Sequence, residues 1–334
     1  MGDREQPRAF RPTPASAAER VRWPDDWGTR FLLFVDVEEE FDWRRPPDRA
    51  ARATTAMAAL PAAHRRFADA GTGVACMVDH PVATDPASCD ILREIASDER
   101  SAIGAQLHAW VTPPFDEPLT PANSYPGNLP PVLEAAKIDA LTDAIVAGVG
   151  ARPIAYRAGR YGIGPATLGL LRDRGYRIDS SMRARYDYSA AGGPDFTRID
   201  SHAFRREGML ELPLTTVFTG RGRRWGVGLY DALGRVPRGR GGAARAGLLS
   251  RIALTPEDMP LAAVIEAIDT AVGENVGLLS FSFHSPSLAP GHTPYVRDAA
   301  DLLAFWRWWD AVLGHLAKSG VRATTLAEVL NAAS

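Results

Sequence analysis

Two cysteines in 334 residues, Cys76 and Cys89, are too few to build a disulfide framework, so the fold must be held by burial and hydrogen bonding. Charge of one sign is also missing. With 38 Lys and Arg against 40 Asp and Glu the formal net charge is −2, which gives no electrostatic case for nucleic acid or an anionic membrane as the partner of the whole chain. No uninterrupted apolar run reaches the length needed to cross a bilayer. The first twenty residues mix prolines with charges of both signs and have no apolar segment of signal-peptide type, so the expected location is cytoplasmic. What is present is ordinary globular material, 46% hydrophobic and 23% charged, with ample length for a large core.

The most informative stretch is FLLFVDVEEEFDW at 31–43. Its apolar start suits a strand buried on both faces, and Asp36 and Glu38 share one face at its exit. Two carboxylates facing one way repel unless a cation, a proton or an arginine intervenes, which marks a site. Glu39, Glu40 and Asp42 read as a solvated acidic loop. The next strands end in the same manner: the one at 74–80 at Asp79 and His80, AIGAQLH at 102–108 with Gln106 and His108 on one face, 153–157 at Arg157, YRID at Asp179, and GLLSFSFH at His284. Helices are expected near 51–70, 89–97, 133–149 and 165–174. Thr255, Pro256, Glu257 and Asp258 have the pattern of a cap and first turn opening a helix to 272. A last amphipathic helix spans about 296–318; Trp306 and Trp308 there read as core rather than as a sugar platform.

Residues 1–28 are expected to form a loosely ordered arm and 29–334 one α/β domain. Strands alternating with helices imply a parallel sheet, and in a closed (β/α) barrel the strand exits converge on one mouth. A doubly wound open sheet is the runner-up; the glycines at 159, 162 and 164 do not form a dinucleotide fingerprint. The alternation lapses over about 183–255. Eight arginines and eight glycines within 221–251 face one acid, Asp231, and read as an irregular, solvated insertion rather than a phosphate or RNA site.

The ordered set VDVEEEF, IGAQLH, YRAGRYG, IDSS and FSFHSPS resembles the five motifs of the polysaccharide deacetylases, the carbohydrate esterase family-four group, and most of all the branch often labelled WalW-like. The resemblance runs in order over about residues 30–330. It implies a distorted (β/α) TIM-like barrel, usually of seven parallel strands, and hydrolysis of a carbon–nitrogen bond in an N-acyl sugar, glycan precursor or small N-acyl molecule with a divalent metal, zinc or similar. By position, Asp36 matches the general base, Glu38 a metal ligand, Arg157 the arginine that holds the base, Asp179 the motif-four acid expected to orient the imidazole, and His284 the general acid. The motif-two pattern H-x-x-x-H falls on Gln106 and Trp110, with His108 between them. Glu38 and His108 are thus the implied ligands, and the third is Asp79, Gln106 or none. A metal-independent hydrolase of a small amide or cyclic ureide, and a catalytically silent carbohydrate- or protein-binding barrel, are the alternatives. His64, His80, His202, His292 and His315 read as ordinary surface or core residues, and the oligomeric state is not legible.

Overall fold

Strand β1 (Arg30–Val37) organises the domain because its two faces bury different things. Phe31, Leu33, Val35 and Val37 point outward into a helix-covered core, while Leu32 and Phe34 point into the curl of the sheet. The computed structural model describes residues 9–333. Following β1 are α1 (Leu60–Asp69), β2 (Ala75–Val78), α2 (His80–Thr84), α3 (Pro86–Ala96), β3 (Ala102–Leu107), α4 (Pro131–Val149), β4 (Ala155–Ala158), α5 (Thr167–Asp173) and β5 (Ile178–Asp179). Then come β6 (Phe204–Arg206), β7 (Met209–Glu211), β8 (Thr216–Thr219), α6 (Gly226–Gly234), α7 (Gly239–Arg245), β9 (Ser250–Ala253), α8 (Leu261–Gly273), β10 (Leu278–His284), α9 (Ala299–Lys318), β11 (Arg322–Ala323) and α10 (Leu326–Ala332).

The main sheet runs β10-β1-β2-β3-β4-β5-β7-β6, with β11 on β1. From β10 to β7 every neighbour is parallel, as strand–helix alternation requires, and only β6 turns back antiparallel. The result is a curled, mostly parallel half-barrel of nine strands. At its β10 end the sheet meets the residues flanking the β8–β9 hairpin through single backbone hydrogen bonds, Thr215 N to Ser280 O at 3.2 Å and Ser282 N to Leu254 O at 3.2 Å, not through a ladder. The space inside the curl is filled by Phe34, Met77, Ile178, Leu210 and Leu278, together with Leu326, Val329 and Leu330 of α10. A capping box at Thr325 and Glu328 starts that helix. Above this plug the inward row of β1 changes character, from Leu32 and Phe34 to Asp36 and, just beyond the strand, Glu38.

Three expectations differ from the structure. Residues 9–28 are tied to the body: Val21 N donates to Ala203 O at 3.0 Å, Arg205 N to Glu19 O at 2.7 Å, and the Trp27 indole to Gly277 O at 2.9 Å. Residues 1–8 lie outside the described residues. The stretch 183–255 is not irregular throughout. It supplies β6 and β7 to the main sheet and the β8–β9 hairpin, and the Arg/Gly-rich part folds as α6 and α7. Finally, 255–260 is not a helical first turn, since α8 begins at Leu261 and Asp258 has φ +65°. On α9, Trp308 and Trp309 are buried in the core. Among the described residues no helix is long and apolar enough to cross a membrane.

Candidate active site

The C-terminal ends of the strands surround a cavity of about 850 Å³ whose lining includes Asp36, Glu38, Gln106, His108, Arg157 and His284. Register explains part of this convergence: Asp36 pairs with His284 across β1 and β10, and Gln106 with Arg157 across β3 and β4. Asp36 is 2% exposed, and one of its oxygens accepts a hydrogen bond from Arg157 Nη1. The guanidinium is itself fixed, donating from Nε to Ser180 O at 3.1 Å and from Nη2 to Ser180 Oγ at 2.9 Å, with Phe34 beneath it at 4.6 Å. Such a buried, multiply bonded pair holds the other Asp36 oxygen in a defined position.

That other oxygen, Oδ2, lies 3.8 Å from His284 Nε2. On the far side of the ring, Nδ1 donates to Glu257 Oε2 at 2.7 Å, and the backbone N–H of His284 donates to Glu257 Oε1 at 3.1 Å. Ser287 Oγ also donates to that oxygen, at 2.6 Å. Burial works against charge on His284, but the carboxylates of Glu257, Glu38 and Asp36 outweigh it and push the imidazole up to about 10. The Trp43 and His284 rings pack edge to face with their centroids 4.9 Å apart.

A second histidine sits in a carboxylate frame. His108 Nδ1 donates to Glu39 Oε2 at 2.7 Å, and Trp110 Nε1 donates to Glu39 Oε1 at 2.8 Å. Glu39 N donates to Asp79 Oδ2 at 2.7 Å, while Asp79 Oδ1 caps α2 through Val82 N at 2.9 Å. Burial raises Glu39, and raises Asp79 well above the usual carboxylate range. Because the Glu39 carboxylate takes the Nδ1 proton, the Nε2 lone pair faces the cavity, 3.4 Å from Glu38 Oε2. Gly159 is obligatory beside this ring: a Cβ there would meet Leu107 O at 2.6 Å and the imidazole at 2.5 Å.

Glu38 Oε1 and Gln106 Oε1 are buried without a hydrogen-bond partner among the described residues, and burial pushes Glu38 up to about 8. Glu38, with one oxygen unpartnered and the other 3.4 Å from the imidazole, His108, and the unpartnered amide oxygen of Gln106 on the same cavity wall are a donor set suited to a divalent cation. Glu39, Asp79 and His108 also offer ligand atoms within 4.8 Å of one another. The oxygens of Glu39 and Asp79 are, however, already taken by the indole, the imidazole and two backbone N–H groups, and neither residue lines the cavity. Glu39 and Asp79 thus stand behind His108, and with it they form a second group whose atoms could hold a cation.

Asp179 differs from expectation. It lies beside Glu211, its register partner on β7, and accepts from Ser181 Oγ, with no contact to His284. Both carboxyls are fully buried and burial raises both, Asp179 to about 6 and Glu211 well above its ordinary value, the Asp179 charge adding to the rise of Glu211. Glu257 takes the orienting role. Sequence reading missed it because TPED imitates a helix start, and missed Glu39 because it was grouped with loop acids. Asp42 is such a loop acid, paired with Arg45 at 3.3 Å. Glu40 accepts from Ala56 N at 2.6 Å and pairs with His292 at 3.1 Å, and that histidine lines the cavity rather than being an ordinary surface group.

No protein-family model matches the chain, and no curated protein matches it. Solved structures do. One from Mycobacterium smegmatis, named as a polysaccharide deacetylase, superposes with a TM-score of 0.53 at 18% identity, covering 96% of this chain and 93% of that one. The PuuE allantoinase superposes with a TM-score of 0.50 at 13% identity, covering 91% of this chain and 89% of that one. At these identities the likeness is one of fold.

Proposed function

We propose that the cavity is the active site of a deacetylase-like hydrolase that cleaves the carbon–nitrogen bond of an N-acyl sugar or glycan precursor. The observation that carries this reading is the juxtaposition of Asp36 and His284 on adjoining strands, each held from behind by a buried opposite charge. Asp36 Oδ2 accepts a proton from a water that attacks the acyl carbon. His284 Nε2 then delivers a proton to the departing nitrogen as the carbon–nitrogen bond breaks, so amide and water become carboxylic acid and amine. Arg157 keeps Asp36 in place as a base, and Glu257 keeps the imidazole in the orientation and charge state of an acid. Aromatic rings on the cavity wall, among them Trp43, Tyr161 and Tyr295, offer faces of the kind sugars stack on.

Glu38, His108 and the amide oxygen of Gln106 would hold a divalent cation. Bound there, it would supply Lewis-acid polarisation of the acyl oxygen and activation of water. An amide oxygen in place of an imidazole favours a harder ion than zinc. The same substitution supports a second reading, a metal-independent hydrolase of a small amide or cyclic ureide. Purification without added metal, mass-spectrometric metal analysis, and assays of N-acetylated oligosaccharides with and without chelator separate the two. Bound metal lost in both Glu38→Ala and His108→Ala, with chelator-sensitive activity, supports the first; full activity in chelator sinks it.

A further inference from the structure

Almost every basic group on the cavity wall has an acid facing it: Arg157 has Asp36, His284 has Glu257, His108 has Glu39, His292 has Glu40 and Arg45 has Asp42. Arg160 and Arg183 line the same cavity and have no carboxylate partner among the described residues. Arg160 donates from Nη1 to Ser124 Oγ and lies 4.3 Å over the ring of Tyr125. Arg183 lies 3.9 Å over Tyr186 and 5.5 Å over Tyr161, and its Nη1 makes one long contact, 3.5 Å, to the Tyr188 hydroxyl. Asp258 is influenced by the Arg183 charge without forming an ion pair. A guanidinium carries five N–H donors, and the described residues take one from each.

The two arginines belong to one wall. Tyr161 follows Arg160 in the chain and stacks on Tyr188 with centroids 5.4 Å apart. Gly193 allows Tyr125 and Tyr188 to approach, since a Cβ there would meet Tyr125 at 2.5 Å and Tyr188 at 2.9 Å. Arg160 and Tyr161 have successive φ values of 55° and 61°. Left-handed backbone at non-glycine residues costs on the order of 1–3 kcal/mol each and persists where the surroundings impose it, commonly at functional sites. Stacking on tyrosine explains how the guanidiniums are packed but leaves most of their donors without an acceptor.

We propose that this wall is an anion subsite, in which Arg183 and Arg160 bind a carboxylate or phosphate carried by the same molecule as the scissile bond. The subsite deepens the hydrolase reading by making the substrate an acidic one, and it rests on that reading for the identity of the bond cleaved. The cavity acids Glu40 and Asp42 are already paired, with His292 and Arg45, so an incoming anion meets two guanidiniums that no carboxylate pairs.

The test uses sugars that lack an acyl group and so bind without turnover: glucose, glucuronate and glucose 6-phosphate, titrated against the full chain at low salt and followed by the fluorescence of cavity tryptophans. Charge-assisted hydrogen bonds imply that at least one anionic sugar binds about tenfold or more tightly than glucose. The carboxylate and phosphate arms show which anion the wall takes. That advantage is expected to fall to about threefold or less in Arg183→Met and in Arg160→Gln, to survive in part in Arg183→Lys, and to persist in Arg297→Gln, a change at an exposed arginine. Circular dichroism checks folding; if Arg183→Met does not fold, Arg160→Gln and Arg183→Lys carry the comparison. Equal binding of all three sugars, or an advantage undiminished in the folded Arg160 and Arg183 variants, overturns the proposal. Anion preference without hydrolysis of any N-acylated analogue leaves the subsite standing and removes the hydrolase reading.

Discussion

Glu257 grips His284 at two points, accepting its Nδ1 proton at 2.7 Å and its backbone N–H at 3.1 Å, so that the opposite ring nitrogen faces Asp36. A carboxylate and an imidazole on neighbouring strands are thereby presented to the same cavity, with Arg157 behind the one and Glu257 behind the other.

Glu257→Gln removes the largest attraction that raises His284. The imidazole, at about 10 in the intact protein, is expected to titrate at lower pH in this variant, and the alkaline limb of the pH–rate profile to move down with it. A folded-state value above the unfolded one of about 6.5 contributes stability that is present below pH ~6.5 and lost as pH rises towards 10. NMR titration of the imidazole, alongside the rate profile, checks both; an unchanged His284 titration in the folded variant would remove Glu257 from the role assigned here.

Arg157 and Asp36 are both almost fully buried, so deleting one strands the other. Arg157→Met is expected to cost about 3–5 kcal/mol of stability. Adding Asp36→Asn to it should recover part of that loss, because the uncompensated charge is gone. Denaturant unfolding of the two single variants and the double variant measures the coupling; strict additivity would contradict it.

Glu39→Gln replaces the carboxylate that takes the His108 Nδ1 proton. Loss of such a supporting partner typically lowers metal affinity about 10–100-fold. Competition with a chelating dye measures the affinity, and an unchanged value would mean that His108 is not a ligand.

Much of this centre was legible. The inward row Leu32, Phe34, Asp36, Glu38 follows from strand alternation alone, and the strand-exit rule placed His108, Arg157 and His284 at the same mouth. The failures have physical causes. After Val37 the backbone leaves the strand, so alternation no longer says which way Glu39 points, and it turns back towards His108. Thr255–Asp258 meets the compositional rule for a helix start, but φ +65° at Asp258 breaks the turn and releases Glu257 to the site. The prolines and charges of the N-terminal region look unstructured, yet its backbone and Trp27 find partners more than 170 residues away, which local pattern cannot register. Asp179 obeys the strand-exit rule but meets Glu211 from a strand inside the stretch read as an insertion.

The Asp179–Glu211 pair carries its own pH signature. Both carboxyls are raised by burial, so the folded protein binds more protons than the unfolded chain, and stability falls as pH rises from about 4 through 6 and beyond. Glu211→Gln mimics the protonated acid. It is expected to match the wild type near pH 4 and to exceed it in Tm at pH 8; a variant less stable at pH 8 would contradict a Glu211 carboxyl raised by burial.

The most direct measurement is release of acid and free amine from N-acetylated oligosaccharides and their acidic counterparts by the wild type, Asp36→Asn and His284→Gln, each verified as folded. Loss of a positioned base or acid is expected to lower the rate about 10²–10⁴-fold in either variant while the wild type yields acid and amine in equal amounts. Wild-type turnover with either folded variant undiminished, or no turnover of any N-acyl substrate, would contradict the assignment of Asp36 and His284 as the hydrolytic pair.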